Sequence, residues 1–212
     1  MAGVRGDRSS GIRGGMKTST LILTGLGVGV IAGTLLGSPR LSVTAGGWKD
    51  GDAPRRIEGY ARQVERLTGW SGLTEFLMAV AWYESRGDSS AINNPQDPNS
   101  AAGWFQLRPK SAMADRADVL DEGTSVALAA DYAQRLRKWS SAEPDWLALR
   151  RGWAYPRLVD DTGEADARSK KVRENFVKAL DAVGVPRSFM YRNAFPSGFS
   201  WPGREELLSQ MG

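Results

Sequence analysis

One glutamic acid, Glu84, lies at the end of an unusually apolar stretch, FLMAVAWYES (residues 76–85). If the stretch is helical, Glu84 shares a face with Leu77 and Val80, which would point to the core. Burial and a position in the last turn of a helix both raise the pKa of a carboxyl group. A carboxylic acid that stays protonated near neutral pH can act as a general acid. We therefore interpret Glu84 as a catalytic acid; the alternative is an acid that turns to solvent at a helix end.

The composition removes most other catalytic chemistry. The 212 residues include no histidine and no cysteine, which excludes Ser-His-Asp triads, Cys-His pairs, disulfides and zinc sites built from thiolate or imidazole. Carboxylates, Ser/Lys or Tyr chemistry and oxygen-ligated metals remain. No motif implies a cofactor or a bound metal, and we expect none.

The basic charge is concentrated at the N-terminus. The chain has a formal net charge of +4, of which residues 1–17 supply +3. The remainder carries 24 basic and 23 acidic residues and is nearly neutral. We therefore expect no nucleic-acid partner, because such partners require a basic surface.

Residues 18–39, TSTLILTGLGVGVIAGTLLGSP, carry no charge. As a helix they would be roughly 33 Å long, enough to cross a hydrocarbon core of about 30 Å. We predict a single-pass transmembrane helix, with the basic tail 1–17 inside and the rest of the chain on the periplasmic or outer side. The alternative is a cleaved signal peptide with its cleavage site near SVTAGG, for which Met16 would be a natural start.

The predicted membrane helix has glycines four residues apart, which would form one smooth ridge. Such small-xxx-small faces let transmembrane helices pack closely, so we predict a homo-oligomeric contact, although membrane helices also tolerate glycine without one. The residues are Gly25, Gly29, Gly33 and Gly37.

The pattern of the remaining residues predicts a linker, one domain and a tail. Residues 40–52 are rich in small residues and predict a linker. Within 53–184, start and stop signals and apolar periodicity predict helices near 52–69, 72–85, 124–139, 145–152 and 165–183, and therefore a mainly α fold. Residues 185–212 contain five aromatic residues among Pro and Gly, which predicts an extended tail anchored on the domain by its rings.

The segment ESRGDSSAINNPQDPNSAAGWFQLRP, residues 84–109, resembles the signature of lysozyme-like lytic transglycosylases and goose-type lysozymes. In that family an apolar helix ends in Glu-Ser, and Ser-x-x-Gly, Gly-x-x-Gln and a Pro follow. Glu84-Ser85, Ser100 to Gly103 and Gly103 to Gln106 match these elements. The resemblance implies a lysozyme-like helical domain over about 53–184 that lies behind the transmembrane helix.

The resemblance implies that the substrate is the glycan strand of peptidoglycan, cut between N-acetylmuramic acid and N-acetylglucosamine. Glu84 would protonate the glycosidic oxygen, and the 6-hydroxyl of the sugar would close a 1,6-anhydro ring with Glu84 as base. A lysozyme-type hydrolase is the alternative and would use a second carboxylate. Asp88, Asp97 and Asp115 are the candidates for that role, although Asp88 and Asp97 lie in turn-forming sequences.

The resemblance also implies substrate-binding residues around the acid. Gln106 corresponds to the residue that hydrogen-bonds an acetamido sugar. Ser85 would form the bottom of the cleft or cap the helix. Trp104 would be either a core residue or a wall that stacks on sugar, as would Phe105.

A third motif of the family, Ala-Tyr-Asn-x-Gly, is altered here. The corresponding stretch is LALRRGWAYPRLV, residues 147–159, which has no Asn. Tyr155 is our choice for the family's Tyr because its hydroxyl could bond Glu84, and Trp153 is the alternative.

Two non-enzymatic functions remain open at this stage. One is a membrane-anchored module that binds peptidoglycan without cutting it. The other is a structural membrane protein that assembles through its glycine ridge. For an enzyme that faces outward from a membrane, we expect a role in local wall opening, in a secretion or conjugation machine or in a bacteriophage virion that contains a membrane.

Overall fold

The computed structural model describes residues 47–137, 144–155 and 167–211. These ranges are mainly helical, as the sequence predicts, and contain no β-strand beyond isolated bridges. The longer helices are α1 (Ala53–Thr68), α2 (Leu73–Glu84), α5 (Glu122–Leu136), α6 (Trp146–Ala154) and α7 (Ala167–Ala182). The shorter elements are α3 (Pro109–Ala112), α4 (Arg116–Leu120), a 3-10 helix (Arg187–Tyr191) and α8 (Arg204–Ser209).

The predicted membrane segment, 18–39, lies outside the described residues, as do the basic tail and the four glycines of the predicted oligomer contact. Among the helices that the structure does describe, none has the length and apolar character needed to cross a bilayer. The transmembrane helix and the homo-oligomer therefore stay predictions.

Helix α2 forms the centre of the domain. All its residues from Leu73 to Ala81 except Glu75 are buried, and it packs against α1, α5 and α7. A helix that is apolar on every side is stable only when other elements surround it. Its last turn, residues 82–84, is half-buried, so α2 carries Glu84 from the core to the edge of the domain.

A carboxylate of α1 fixes the start of α2. The Glu65 side chain accepts hydrogen bonds from the backbone amides of Gly72 (2.9 Å) and Thr74 (3.1 Å). A negative charge at the N-terminus of a helix is favourable, because the first amides lack partners within the helix. Gly69 ends α1 with a φ of +64°, so the chain turns sharply between the two helices.

The C-terminal segment differs from the extended tail that the sequence predicts, because it includes the 3-10 helix and α8. Its aromatic rings do anchor it: Phe195 and Phe199 pack on the buried Trp70, with ring centroids 4.9 and 5.0 Å away. The indole N–H of Trp70 donates to the carbonyl of Ala194. The buried Leu207 belongs to α8, which packs on α5.

Replacing Trp70 by Ala is expected to lower the free energy of unfolding by about 3–5 kcal/mol, the usual cost of removing a large buried aromatic side chain. Urea denaturation followed by circular dichroism measures the change. Leu67→Ala on the exposed side of α1 is the control, with an expected change within about 0.5 kcal/mol. Equal urea midpoints for the two variants would contradict the docking of the C-terminal segment through Trp70.

Candidate active site

Glu84 forms an ion pair with a buried arginine. The Arg150 Nη2 atom of α6 donates to Glu84 Oε1 over 2.7 Å. The Arg150 side chain is 3% exposed and that of Glu84 is 21% exposed. A buried guanidinium requires a compensating negative charge, so this pair fixes where the carboxyl group of Glu84 lies.

The pair is part of a network that joins three helices. The Arg150 guanidinium lies 5.0 Å from the centre of the Tyr83 ring, within the range of a cation–π contact. The Tyr83 hydroxyl accepts a hydrogen bond of 2.6 Å from Asn175 Nδ2 of α7. Arg150 Nη1 is buried and has no hydrogen-bond partner in the described ranges, so Glu84 supplies most of the compensation for this charge.

The pKa of Glu84 lies above the ordinary value of a glutamic acid. Burial is the main cause, because it disfavours the charged form, while the charge of Arg150 and its hydrogen bond act in the opposite direction. Oε1 is engaged by Arg150, whereas Oε2 has no hydrogen-bond partner among the described residues. Oε2 is therefore the oxygen available to carry a transferable proton.

Glu84 borders two neighbouring pockets that share part of their lining, and we call them the large and small arms of one groove. The large arm has a volume of about 950 Å³ and the small arm about 430 Å³. Glu84, Asn93 and Gln106 line both arms. The large arm is also lined by Leu107, Arg108, Ser111, Tyr132, Trp153, Tyr155 and Arg168, and the small arm by Lys49, Ser85, Arg86, Asp88 and Ile92.

Gln106, in the loop after α2, lines the same two arms of the groove as Glu84. Its Nε2 donates to the carbonyls of Ala91 (3.3 Å) and Gly103 (3.1 Å). Its backbone has a φ of +49°, a left-handed conformation that is uncommon outside glycine. These two bonds fix the amide group and use its Nε2 donor, so its oxygen keeps its capacity to accept a hydrogen bond.

Ser85 ties this loop to the end of α2. Its hydroxyl donates to the carbonyl of Trp104 (2.9 Å) and accepts from the amide of Gly87 (3.2 Å). The side chain is buried, although the residue borders the small arm. We therefore interpret Ser85 as a residue that positions the loop.

The expectation that Trp104 binds substrate is corrected, because the structure places this residue in the core and not on the groove. It is 1% exposed, and its indole N–H donates to the carbonyl of Gly87 over 3.0 Å. Phe105 is also buried and meets the Trp104 ring edge-on. Both rings support the loop from behind, so neither is available to stack on a sugar.

Tyr155 and Trp153 both line the large arm, but neither hydrogen-bonds Glu84. The predicted bond from the Tyr155 hydroxyl to Glu84 is therefore wrong, and Arg150 occupies that role. Tyr155 is 39% exposed at the end of α6. Trp153 is nearly buried and meets the Tyr132 ring edge-on, with centroids 5.1 Å apart.

Sequence reasoning missed Arg150, although the sequence contained a signal. Arg150 lies four residues after Trp146 and three before Trp153, so a helix places it on their apolar face. A lone arginine on such a face requires an acidic partner. Tyr132 on α5 was also missed, because its position on the groove depends on how α5 packs.

The acids proposed as second catalytic carboxylates are engaged elsewhere. Asp88 borders the small arm, but it accepts from the amide and hydroxyl of Ser90 and from Lys49. These contacts hold the pKa of Asp88 below its usual value. Asp97 accepts from the amide of Asn99 in its own turn. Asp115 caps the N-terminus of α4, so Asp88 is the one of the three that reaches the groove.

No family model matches the chain, and no curated protein matches it either.

Arg150→Gln is expected to raise the pKa of Glu84 further, because it removes the nearby positive charge while leaving the carboxyl group buried. Titration of the Glu84 side-chain carboxyl carbon by ¹³C NMR measures the shift. Arg66→Gln, an exposed arginine in the last turn of α1, is the matched control and should leave the titration unchanged. An unchanged or lower pKa in Arg150→Gln would contradict the pairing.

Proposed function

We propose that this chain is a peptidoglycan-cleaving enzyme with a lysozyme-like helical domain, and that it acts as a lytic transglycosylase. The observation that carries the proposal is the half-buried acid, Glu84, where two arms of an open groove meet. A groove that continues on both sides of an acid suits a polymer cut within its length. The N-acetylmuramic acid–N-acetylglucosamine bond would lie over Glu84.

In the first step Glu84 acts as the general acid. The proton on Oε2 passes to the glycosidic oxygen as the bond to C1 of the muramic acid breaks. The carboxylate that forms is stabilised by the hydrogen bond from Arg150 to Oε1. This interaction grows stronger as negative charge develops, so it favours the transition state over the ground state.

In the second step the same carboxylate acts as the base. The 6-hydroxyl of the muramic acid bonds to C1, and its proton returns to Glu84. The products are a 1,6-anhydro end and a free 4-hydroxyl on the departing N-acetylglucosamine. No water is consumed, and Glu84 ends protonated for the next cycle. Gln106, whose amide group is fixed and which lines the same groove as the acid, is a suitable partner for an acetamido group.

A lysozyme-type hydrolase is the second candidate, and Asp88 is the observation that favours it. Asp88 borders the small arm and remains charged. Its bonds to Ser90 and Lys49 occupy both of its carboxylate oxygens. These contacts lower the pKa of Asp88 and so make it a weaker base toward water, and the single-acid mechanism is therefore the better supported.

We further propose that residues 18–39 anchor the enzyme in a membrane, with the catalytic domain on the outer side. An anchored enzyme cuts only the wall within its reach, which suits local wall opening by an envelope-spanning machine or by an entering virion. The uncharged run of 22 residues behind a basic tail supports this proposal.

Glu84→Gln is expected to lower the rate of peptidoglycan cleavage by about 10²–10⁴-fold, the usual contribution of a general acid. Release of soluble muropeptides from purified sacculi measures the rate, and mass spectrometry of the products identifies their ends. Anhydro ends support the transglycosylase and reducing ends the hydrolase. Equal release by wild type and Glu84→Gln would contradict the enzyme and favour a module that only binds peptidoglycan.

Activity is expected to fall on the alkaline side as Glu84 loses its proton. Because burial raises the pKa of Glu84, this loss should occur at a higher pH than for an ordinary glutamic acid. In Arg150→Gln the alkaline limb should move to still higher pH. Measuring kcat/KM against pH on soluble glycan fragments gives the alkaline limb of the wild type and of Arg150→Gln. A shift of this limb to lower pH in Arg150→Gln would contradict the assignment of Glu84 as the acid.

A further inference from the structure

Arg86 lines the small arm of the groove, and its guanidinium group is stacked on Trp82. It lies two residues after Glu84, and its Cζ atom lies 3.4 Å from the centre of the Trp82 ring. Arginine stacks flat on aromatic rings and keeps its N–H edge available for hydrogen bonds. The stack therefore holds the guanidinium in place without using its donors.

The backbone at Arg86 adopts a conformation that glycine would accept more easily. Arg86 directly follows the residue that caps α2, and its φ is +60°. Glycine or asparagine is usual at this position of a helix end, because a Cβ atom is disfavoured there. Strained residues of this kind concentrate at functional sites. The other strained residue on the groove is Gln106, with a φ of +49°.

The charge of Arg86 is not compensated within the described part of the chain. No acidic side chain there forms an ion pair with it, and its guanidinium group stacks on Trp82. Lys49 and Asp88 also line the small arm, but their side chains pair with each other over 3.3 Å. Glu84 also lines this arm and pairs with Arg150. Arg86 is therefore the charged group of this arm that has no ion-pair partner among the described residues.

We propose that Arg86, held on Trp82, is a carboxylate-binding subsite that takes an acidic branch of the glycan strand. This inference rests on the proposed function for its substrate and goes further by naming the group that is recognised. A planar guanidinium binds a carboxylate through two parallel hydrogen bonds. Two branches of muramic acid carry carboxylates: the peptide stem, and the lactyl group where no peptide is attached.

Three soluble ligands separate these sources. Chitohexaose has the sugar backbone and no carboxylate. A peptide-free oligomer of N-acetylglucosamine and N-acetylmuramic acid carries lactyl carboxylates alone, and the same oligomer with peptide stems carries those of the peptide. Affinities are measured by calorimetry with the full-length chain carrying Glu84→Gln, so that no ligand is cut.

Arg86→Gly in this background is expected to weaken binding of an acidic oligomer by about ten- to a hundredfold, in line with the loss of a charge-assisted hydrogen-bonded pair. Binding of chitohexaose should not change. The melting temperature should stay equal or rise, because glycine relieves the left-handed backbone. Arg86→Lys, which keeps the charge and loses the planar fork, should bind with intermediate affinity.

Two matched controls separate the cation from the backbone and from general charge. Met113 has a φ of +51° and is 59% exposed away from the groove, so Met113→Gly relieves the same strain without removing a charge. Arg66→Gln removes an exposed arginine of α1. Neither control should change the affinity for any of the three ligands.

The outcomes identify the source of the carboxylate or overturn the subsite. A gain in affinity over chitohexaose that depends on Arg86 assigns the lactyl group if it occurs with the peptide-free oligomer alone, and the stem if it occurs with the peptide-bearing oligomer alone. A gain with both shows that the subsite accepts either carboxylate. Equal losses on all three ligands, or no loss on any, would overturn the inference. If the wild type cuts sacculi but the affinity for the acidic oligomers does not depend on Arg86, the subsite proposal is wrong and the proposed catalysis is unaffected. If Arg86-dependent binding occurs without any cutting by wild type, the proposed catalysis fails.

Discussion

The contact between Glu84 and Arg150 constrains the rest of the structure. A guanidinium with 3% of its side chain exposed is costly to bury, and one carboxyl group provides its compensation. That carboxyl group must in turn stay accessible if it is to exchange a proton with a substrate. Both conditions are met because α2 ends at the boundary between core and groove. Arg150 bonds one carboxyl oxygen of Glu84, and the second has no hydrogen-bond partner within the part of the chain that the structure describes.

Opposing effects on the proton affinity of Glu84 make a single-acid mechanism chemically reasonable. Burial favours the protonated form, which is needed to donate a proton, and Arg150 stabilises the carboxylate, which is needed to take one back. An enzyme with two carboxylates divides these roles between two residues. Here Asp88, the one candidate partner on the groove, has its oxygens engaged by Ser90 and Lys49. One acid with a permanent cation behind it can perform both roles in turn.

Local signals explain how far the sequence could predict the structure. The mainly α fold follows from helix stop signals such as Gly69 and from apolar periodicity, and Glu84 follows from its position after an apolar run. The bond predicted from Tyr155 to Glu84 was wrong, because the partner is Arg150, 66 residues away in the chain. Trp104 was ambiguous in sequence, since a tryptophan suits a core and a sugar-binding wall equally well. Whether such a residue lies in the core or on the groove depends on which helices pack together, and no local sequence pattern encodes that packing.

The loop after α2 combines stabilising buried hydrogen bonds with strained backbone at the site. Buried polar contacts from Ser85 and Trp104 to the backbone bind this loop to the end of α2. The stability that these contacts supply offsets the cost of two non-glycine residues with positive φ, Arg86 and Gln106. A loop selected for stability alone would place glycine at both positions. Their side chains instead border the groove on which Glu84 lies, so the strain is retained where a substrate would be recognised.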